Sequence, residues 1–382
     1  MIRKVLLLGA GKIGRMIARL LVDSGDYDLL VADASPEALQ RLVQRVAVNV
    51  QPLDVEDAAA LQAVCNGQDV VICALSFRFS ERVARAALQA GASYFDLTED
   101  VATTRAIEQL SVDAGTRQIF MPQCGLAPGF ISIVAAHLLP EFDQVDSVRM
   151  RVGALPTYPT NMLKYNLTWS TDGLINEYCN LCEVIHDGAR MDVLPLEGLE
   201  EFSLDGVRYE AFHTSGGLGT LCQTLEHRVR DLNYKTIRYP GHRELMHFLL
   251  GELRFRQRRD LLREILEQSI PVTFQDVVIT FCTVTGQRRG QLVQLTDARK
   301  VYSESIDGEA WSAIQITTAA SLCAVLDLHT AGRLPQTGFV RQEQVSLSEF
   351  LANRFGRYYN VAPTLQLYQV PEAPSGSASV PG

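Results

Sequence analysis

The sequence predicts an α/β protein: a doubly wound parallel sheet followed by a second, mixed α/β domain. Three observations carry that prediction. The first is the opening stretch Val5–Ala18, VLLLGAGKIGRMIA, followed by a second apolar run that ends at Asp33. The second is the alternation of short apolar runs with amphipathic helical patterns through the first 125 residues. The third is a change of character after Cys124–Phe130, CGLAPGF, where longer amphipathic strand patterns begin.

Val5–Ala18 reads as a buried strand, a glycine turn and an amphipathic helix. Gly9 permits the tight turn that leaves the strand. Gly11 lacks a Cβ, so a pyrophosphate can approach the backbone, and Gly14 lets the helix lie close to the sheet. Ala10, Lys12 and Ile13 complete the turn, and the helix start presents free N–H groups to phosphates. Asp33, at the tip of the second strand, is spaced to accept hydrogen bonds from the adenosine ribose hydroxyls. The whole is a Rossmann-type dinucleotide fingerprint. Ala34, Ser35 and Pro36 follow Asp33, with no arginine to receive a 2′-phosphate, and the carboxylate repels one. The expected cofactor is therefore NAD in preference to NADP.

Six strands are expected in the first domain, residues 1–125: Lys4–Leu8, Asp28–Ala32, Val46–Leu53, Asp69–Ala74, Ser93–Leu97 and Gln118–Met121. Helical patterns such as Asp57–Cys65 and Ser80–Ala90 lie between them, and Gly91 is placed to stop the latter. Ligands of such sheets bind beyond the carboxyl ends of the strands. That rule nominates the loops bearing Gly9–Gly14, Asp54, then Ala74, Leu75 and Ser76, then Asp96 with Glu99 nearby, and finally Gly125.

Residues 126–309 form the expected second domain. It opens with a helix at Phe130–Leu139 and continues through strands at Ser147–Leu155, Lys164–Trp169, Val207–His213, Tyr234–Tyr239, Val277–Thr285 and Leu292–Val301. Polar residues cluster in AFHTSGG at Ala211–Gly217 and in YKTIRYPGH at Tyr234–His242. His213 is the candidate proton shuttle. Lys235 and Arg238 are both candidate substrate-binding cations; they stand three apart on one strand and so point to opposite faces if the strand is regular. Arg238 is the one assigned to the cleft, because a guanidinium clamps a carboxylate with two hydrogen bonds. Tyr165, Trp169 and Tyr239 are candidate walls for an aliphatic substrate. The apolar helix pattern Ala310–Leu328 begins a C-terminal segment, 310–360, expected to return to the nucleotide domain. The Pro/Gly/Ser-rich stretch 371–382 reads as disordered.

Bulk properties narrow the field. A net charge of −9 provides no basic field to hold a nucleic acid. MIRK leads directly into a strand, so no signal peptide is expected, and no apolar run reaches the roughly 20 residues that span a bilayer. Eight cysteines in such a chain read as reduced thiols in the cytoplasm. Cys179 and Cys182 form a CxxC, but no second pair completes a metal site, so no metal is expected. The arginine-rich segment Gly251–Arg263 reads as a solvated helix face.

These second-domain motifs carry a resemblance. The chain resembles the saccharopine dehydrogenase family, and within it the lysine 6-dehydrogenase branch. The similarity includes GLAPGF at Gly125–Phe130, VGALP at Val152–Pro156, YNLTWSTDGLINEY at Tyr165–Tyr178, AFHTSGG at Ala211–Gly217 and KTIRYPGH at Lys235–His242. The resemblance implies a nucleotide domain, an inserted α/β domain for substrate and homodimer contacts, and C-terminal helices that return to the nucleotide domain. It also implies hydride transfer between a nicotinamide and a carbon bearing an amine. In the lysine branch the substrate is L-lysine; in the saccharopine branch it is a secondary amine joining lysine and glutamate skeletons. On this reading His213 removes a proton from the substrate amine, and Arg238 holds the α-carboxylate. Two alternatives stand beside it. One is a reductase of the polyamine pathway, similar to carboxynorspermidine or homospermidine synthases, whose acidic pocket would draw on Asp172, Glu177 or Glu210. The other is a nucleotide-binding regulatory protein without turnover.

Overall fold

The computed structural model describes residues 2–115 and 117–361 and the backbone of residues 368–369. The 371–382 stretch lies outside the described residues. The first half alternates strand and helix: β1 (Arg3–Leu8), α1 (Lys12–Ser24), β2 (Tyr27–Asp33), α2 (Pro36–Val43), β3 (Asn49–Pro52), α3 (Ala58–Cys65), β4 (Val70–Cys73), α4 (Ser80–Ala90), β5 (Ser93–Asp96), α5 (Val101–Leu110) and β6 (Ile119–Met121). Local chemistry sets these boundaries. Ser35 caps α2 by accepting the Ala38 N–H, with Pro36 in the first turn. Asp57 caps α3, Asp100 caps α5, and Gly91 ends α4 in the left-handed conformation. The strands pair in parallel in the order β6-β5-β4-β1-β2-β3, with apolar layers on both faces. Burial on both faces is why β1 and β4 read as continuous Val/Leu/Ile runs.

The second half opens with α6 (Phe130–Leu138) and the long β7 (Gln144–Pro156). α7 (Thr171–Cys179), β8 (Cys182–His186), β9 (Ala189–Val193), β10 (Glu200–Leu204), β11 (Val207–His213), α8 (Leu221–Leu225) and β12 (Asp231–Arg238) follow. Next come α9 (His242–His247), α10 (Arg259–Ser269), β13 (Asp276–Arg288), β14 (Gln291–Tyr302) and a small hairpin of β15 (Glu304–Ile306) and β16 (Glu309–Trp311). The mixed sheet runs β10-β11-β12-β7-β13-β14 and gains a last strand, β18 (Tyr368–Gln369). Only β7 and β12 are parallel neighbours on this path. The sheet is strongly curled. The β10–β11 hairpin folds over one face, so Phe202 stacks on Phe281 at 5.8 Å and Lys300 pairs with Asp205. The other face is covered by α6, α7, α9 and α11 (Ala313–Thr330).

Helix α11 packs against both α1 and β13 and is buried on nearly every side. After it, β17 (Gly338–Phe339) adds to β6 in parallel, and α12 (Leu347–Ala352) packs on α6 and α11. The first turn of α11 is tied to both halves of the molecule. Asp276 of β13 accepts the Ala313 and Ile314 N–H groups, and the Gln315 amide donates to the Lys12 carbonyl.

One expected element is absent. Lys164–Trp169 is a loop rather than a strand, although Tyr165, Leu167 and Trp169 alternate as strand residues do. Its backbone has no strand to pair with; the Leu167 N–H is bonded to the Pro271 carbonyl and the Lys164 N–H to Asn161. The third strand is shorter than its apolar pattern, Asn49–Pro52 instead of Val46–Leu53. The described residues contain no helix long and apolar enough to cross a membrane.

Candidate active site

The glycine turn is built by contact. Gly9 has φ of 107°, and a Cβ on Gly14 would sit 1.9 Å from the Gly9 carbonyl oxygen, so a side chain at either position breaks the turn. Gly11, the N-cap of α1, has open space around its missing Cβ and supplies no side-chain cap. The first N–H groups of a 13-residue helix therefore face an open cradle suited to a pyrophosphate. Asp33 braces the turn: its carboxylate accepts the Ala10 N–H at 2.7 Å and the Ser35 N–H at 2.8 Å. Lys12 reaches from the turn to the Leu167 carbonyl, 3.4 Å away in the other lobe.

A cleft runs from this turn to the mixed sheet. Its nucleotide-domain wall is Ile13, Ala74–Phe77, Leu97, Glu99 and Gly125–Pro128, and Ile314 and Thr318 of α11 close one side. The opposite wall comes from alternate residues of adjacent strands: Val152 and Ala154 of β7, and Tyr234, Thr236 and Arg238 of β12. Trp169 and Ser170, which precede α7, and Glu177 on α7 complete it. Asp54 and Asp96, expected at the cofactor, belong neither to the glycine turn nor to this lining. Asp54 is exposed and caps its own turn by accepting the Glu56 N–H. Asp96 is fully buried and ties loops together, accepting from Thr98 N, Gln123 N and the Tyr94 hydroxyl.

Arg238 lines the cleft, as its strand position predicts. Its Nε donates to the Tyr178 hydroxyl at 2.9 Å and its Nη1 to the Ile237 carbonyl at 2.8 Å, and no ion pair engages it among the described residues. Tyr165 lies behind it, ring centroid 5.0 Å from the guanidinium, and accepts from Trp169 Nε1; it supports the wall without lining the cleft.

His213, Lys235 and Tyr239 do not reach the cleft, which corrects their expected roles. The period-2 geometry of β12 sends Lys235 and Tyr239 to the face opposite Arg238, and the register pairs His213 with Lys235. Lys235 is buried against Glu200, whose other contact is Arg151. The Tyr239 hydroxyl donates to the Pro156 carbonyl, and its ring stacks on Tyr209. Burial, then the Lys235 charge, lowers the His213 pKa to about 4, so this imidazole is neutral and remote from the reacting space.

The carboxyl groups that do face the cleft are Glu99 and Glu177. Glu99 sits in the loop after β5, with Oε1 enclosed and without a hydrogen-bond partner among the described residues. Glu177 is buried on α7. Loss of water raises the Glu99 pKa to about 7, with the charges of Asp100, Asp96 and Asp172 adding to it. Burial raises Glu177 to about 8, and the Glu99 charge adds to that while Arg238 opposes it. Strand-end position points to Glu99, but nothing in the pattern of α7 singles out Glu177. That helix is buried from Gly173 through Cys179 and so shows no polar face. The cleft thus combines a phosphate cradle, one unpaired guanidinium and two carboxyls poised near neutrality. This set can orient a carboxylate-bearing ligand and move a proton.

Comparison with known proteins agrees with this architecture. A family model described as the saccharopine dehydrogenase NADP binding domain matches residues 5–118, and one described as the saccharopine dehydrogenase C-terminal domain matches residues 125–357. The chain is 23% identical over 322 residues to a saccharopine dehydrogenase (NADP(+), L-glutamate-forming) of Saccharomyces cerevisiae, covering 80% of this chain and 70% of that protein. It is 27% identical over 193 residues to the protein so named in Pyricularia oryzae, covering 49% of this chain and 42% of that one. The solved structure of an apo saccharopine dehydrogenase (L-Glu forming) from Saccharomyces cerevisiae superposes with a TM-score of 0.76 at 18% identity, covering 97% of this chain and 100% of that one, which shows a shared fold. The nucleotide sheet and the lobe that faces it are each matched in turn, and the chain belongs to the saccharopine dehydrogenase family of oxidoreductases, with a nicotinamide-dinucleotide-binding first domain.

Proposed function

We propose that the protein oxidises an amino acid bearing a terminal amine, L-lysine foremost, with a nicotinamide dinucleotide. One observation carries the reading: Arg238, buried and without an ion pair among the described residues, shares a cleft with two carboxyls whose pKa values are raised. A guanidinium in that state calls for a carboxylate. Two carboxyls near neutrality suit an ammonium that has to lose its proton. The lining offers one cation, Arg238, which matches a substrate with a single carboxylate. A saccharopine-type amine carries three.

The bound nicotinamide supplies the hydride acceptor; the remaining work falls to the chain's own residues. Arg238 fixes the α-carboxylate and so sets the distance of the terminal carbon from the cofactor site. The substrate ε-ammonium, with an ordinary pKa near 10.4, holds no free lone pair at neutral pH. The ammonium charge favours the form in which Glu177 has already released its proton to solvent, and that carboxylate then takes the ammonium proton, leaving a neutral amine and a protonated carboxyl. Trp169, Val152, Ala154 and Leu97 keep the space apolar, which disfavours the ammonium and assists its deprotonation.

The carboxylate of Asp33 at the tip of β2 supports NAD as the preferred form, since a negative side chain disfavours a 2′-phosphate; the relatives are named for NADP(+), so both are to be compared. The two acidic side chains also favour one second reading, a more cationic amine of the polyamine pathway. Assembly as a homodimer belongs to the same proposal and is read by sedimentation equilibrium. The deciding experiment follows NADH and NADPH absorbance with lysine, saccharopine, ornithine and polyamines. The expected result is turnover of lysine with NAD. Turnover of saccharopine or a polyamine alone overturns the substrate assignment, and turnover of none overturns the reading of the site.

A further inference from the structure

Arg238 sits at the end of a chain of buried groups, and the donor and acceptor of every link can be assigned. His242 Nδ1 lies 2.7 Å from the Leu163 carbonyl, which can only accept, so Nδ1 carries the proton. Burial, then the Arg238 charge, lowers the His242 pKa to about 3, so the ring is neutral and Nε2 is a bare acceptor. The Tyr178 hydroxyl, 3.1 Å from Nε2, must therefore donate to it. That leaves the Tyr178 oxygen lone pairs for the Arg238 Nε–H at 2.9 Å. The ring of His242 is held parallel to Phe212 at 6.3 Å and edge-on to Tyr178 at 5.9 Å, so its direction is fixed by packing as well. Tyr178 and His242 are 0% and 1% exposed, so water does not compete for these bonds.

The chain determines which edge of the guanidinium is free. A guanidinium grips a carboxylate either side-on, through Nε and Nη2, or end-on, through Nη1 and Nη2. Tyr178 occupies the Nε–H and Ile237 takes one Nη1–H, which removes the side-on mode and leaves the end-on edge. We propose that Tyr178 and His242 are positioning residues that lock Arg238 so that it holds the substrate carboxylate end-on. This rests on the reading of Arg238 as the carboxylate clamp. Tyr178 touches neither substrate nor cofactor; it acts through Arg238.

The test is a double-mutant cycle of Tyr178→Phe and Arg238→Lys, with kcat and KM measured for the amine that the substrate panel selects and NAD affinity measured by fluorescence. Tyr178→Phe keeps the ring and the charge of Arg238 and removes one charge-assisted hydrogen bond. It should raise KM roughly tenfold, leave kcat within about twofold and leave NAD affinity unchanged. Arg238→Lys should raise KM further, because a lysine cannot make the fork. The double variant should be no worse than Arg238→Lys alone. A double variant about tenfold worse than Arg238→Lys overturns the positioning role, as does a Tyr178→Phe loss that falls on kcat. If Arg238→Lys leaves KM unchanged, the clamp itself is wrong, a result distinct from failure of the relay. His242→Phe, which keeps an aromatic ring against Phe212 and removes Nε2, should reproduce the Tyr178→Phe phenotype; wild-type kinetics in a folded His242→Phe protein would overturn its part.

Discussion

Replacing Glu177 with Gln should cost activity and add stability, each with a pH dependence that follows from one buried carboxyl. In the native protein burial, reinforced by the Glu99 charge, raises the Glu177 pKa from an ordinary 4.5 to about 8. Between those values the native carboxyl keeps a proton that the unfolded chain has released. The native state binds more protons there, so stability falls as pH rises through this window. At about 1.4 kcal/mol per pKa unit, the loss is bounded at about 5 kcal/mol between pH 5 and pH 9. A side-chain amide in place of the carboxyl cannot ionise, so the variant escapes that loss. Thermal melts should coincide with wild type near pH 5, where Glu177 is neutral, and exceed it increasingly toward pH 9. Activity should move the other way. With the base gone, kcat should drop by about 10²-fold to 10⁴-fold, and the rise of kcat/KM that levels off above about pH 8 should disappear. A variant that keeps the wild-type pH–rate profile, or that melts below wild type at pH 9, would refute the argument.

Two further outcomes follow from the site. Asp33→Ala removes the acceptor for the Ala10 and Ser35 N–H groups, so both dinucleotides should bind less well, but the ratio of affinities should shift toward NADP by about tenfold or more; calorimetric titration with each cofactor reads it, and equal losses count against the ribose assignment. His213, at the end of β11, faces away from the cleft with Lys235, so His213→Ala should change kcat and KM by less than about twofold; steady-state kinetics that show a loss of about 10²-fold would return His213 to the chemistry.

The nucleotide domain was legible because each signal answers to one backbone constraint. Gly9 and Gly14 face each other in a turn that admits no Cβ, and Asp33 ends a strand whose register is fixed by its partner. Arg238 was legible from alternation and side-chain chemistry together: a period of two puts only one of Lys235 and Arg238 on the cleft face, and a guanidinium is the better carboxylate clamp. The choice of His213 failed because a histidine before a glycine turn looks the same on either face of a strand. The face is set by pairing with β12, which is a non-local fact. Lys164–Trp169 misled for a related reason, since alternation shows how side chains divide between two sides and says nothing about whether a neighbour exists to pair with. From the sequence Glu177 stands out only beside Asp172 and Glu210, as one of three acids for a cationic substrate, because burial gives it no distinguishing pattern. A helix enclosed all round has no amphipathic stripe against which an acidic residue stands out.

The first turn of α11 has a consequence for how this cleft holds its ligands. Within four residues it is fastened to the mixed sheet through Asp276 and to the glycine turn through Gln315, and Ile314 lines the cleft between those anchors. A turn bonded to both halves couples the two walls of the cleft, so loss of the Asp276 carboxylate or the Gln315 amide should loosen both walls together, weakening nucleotide affinity as well as amine binding.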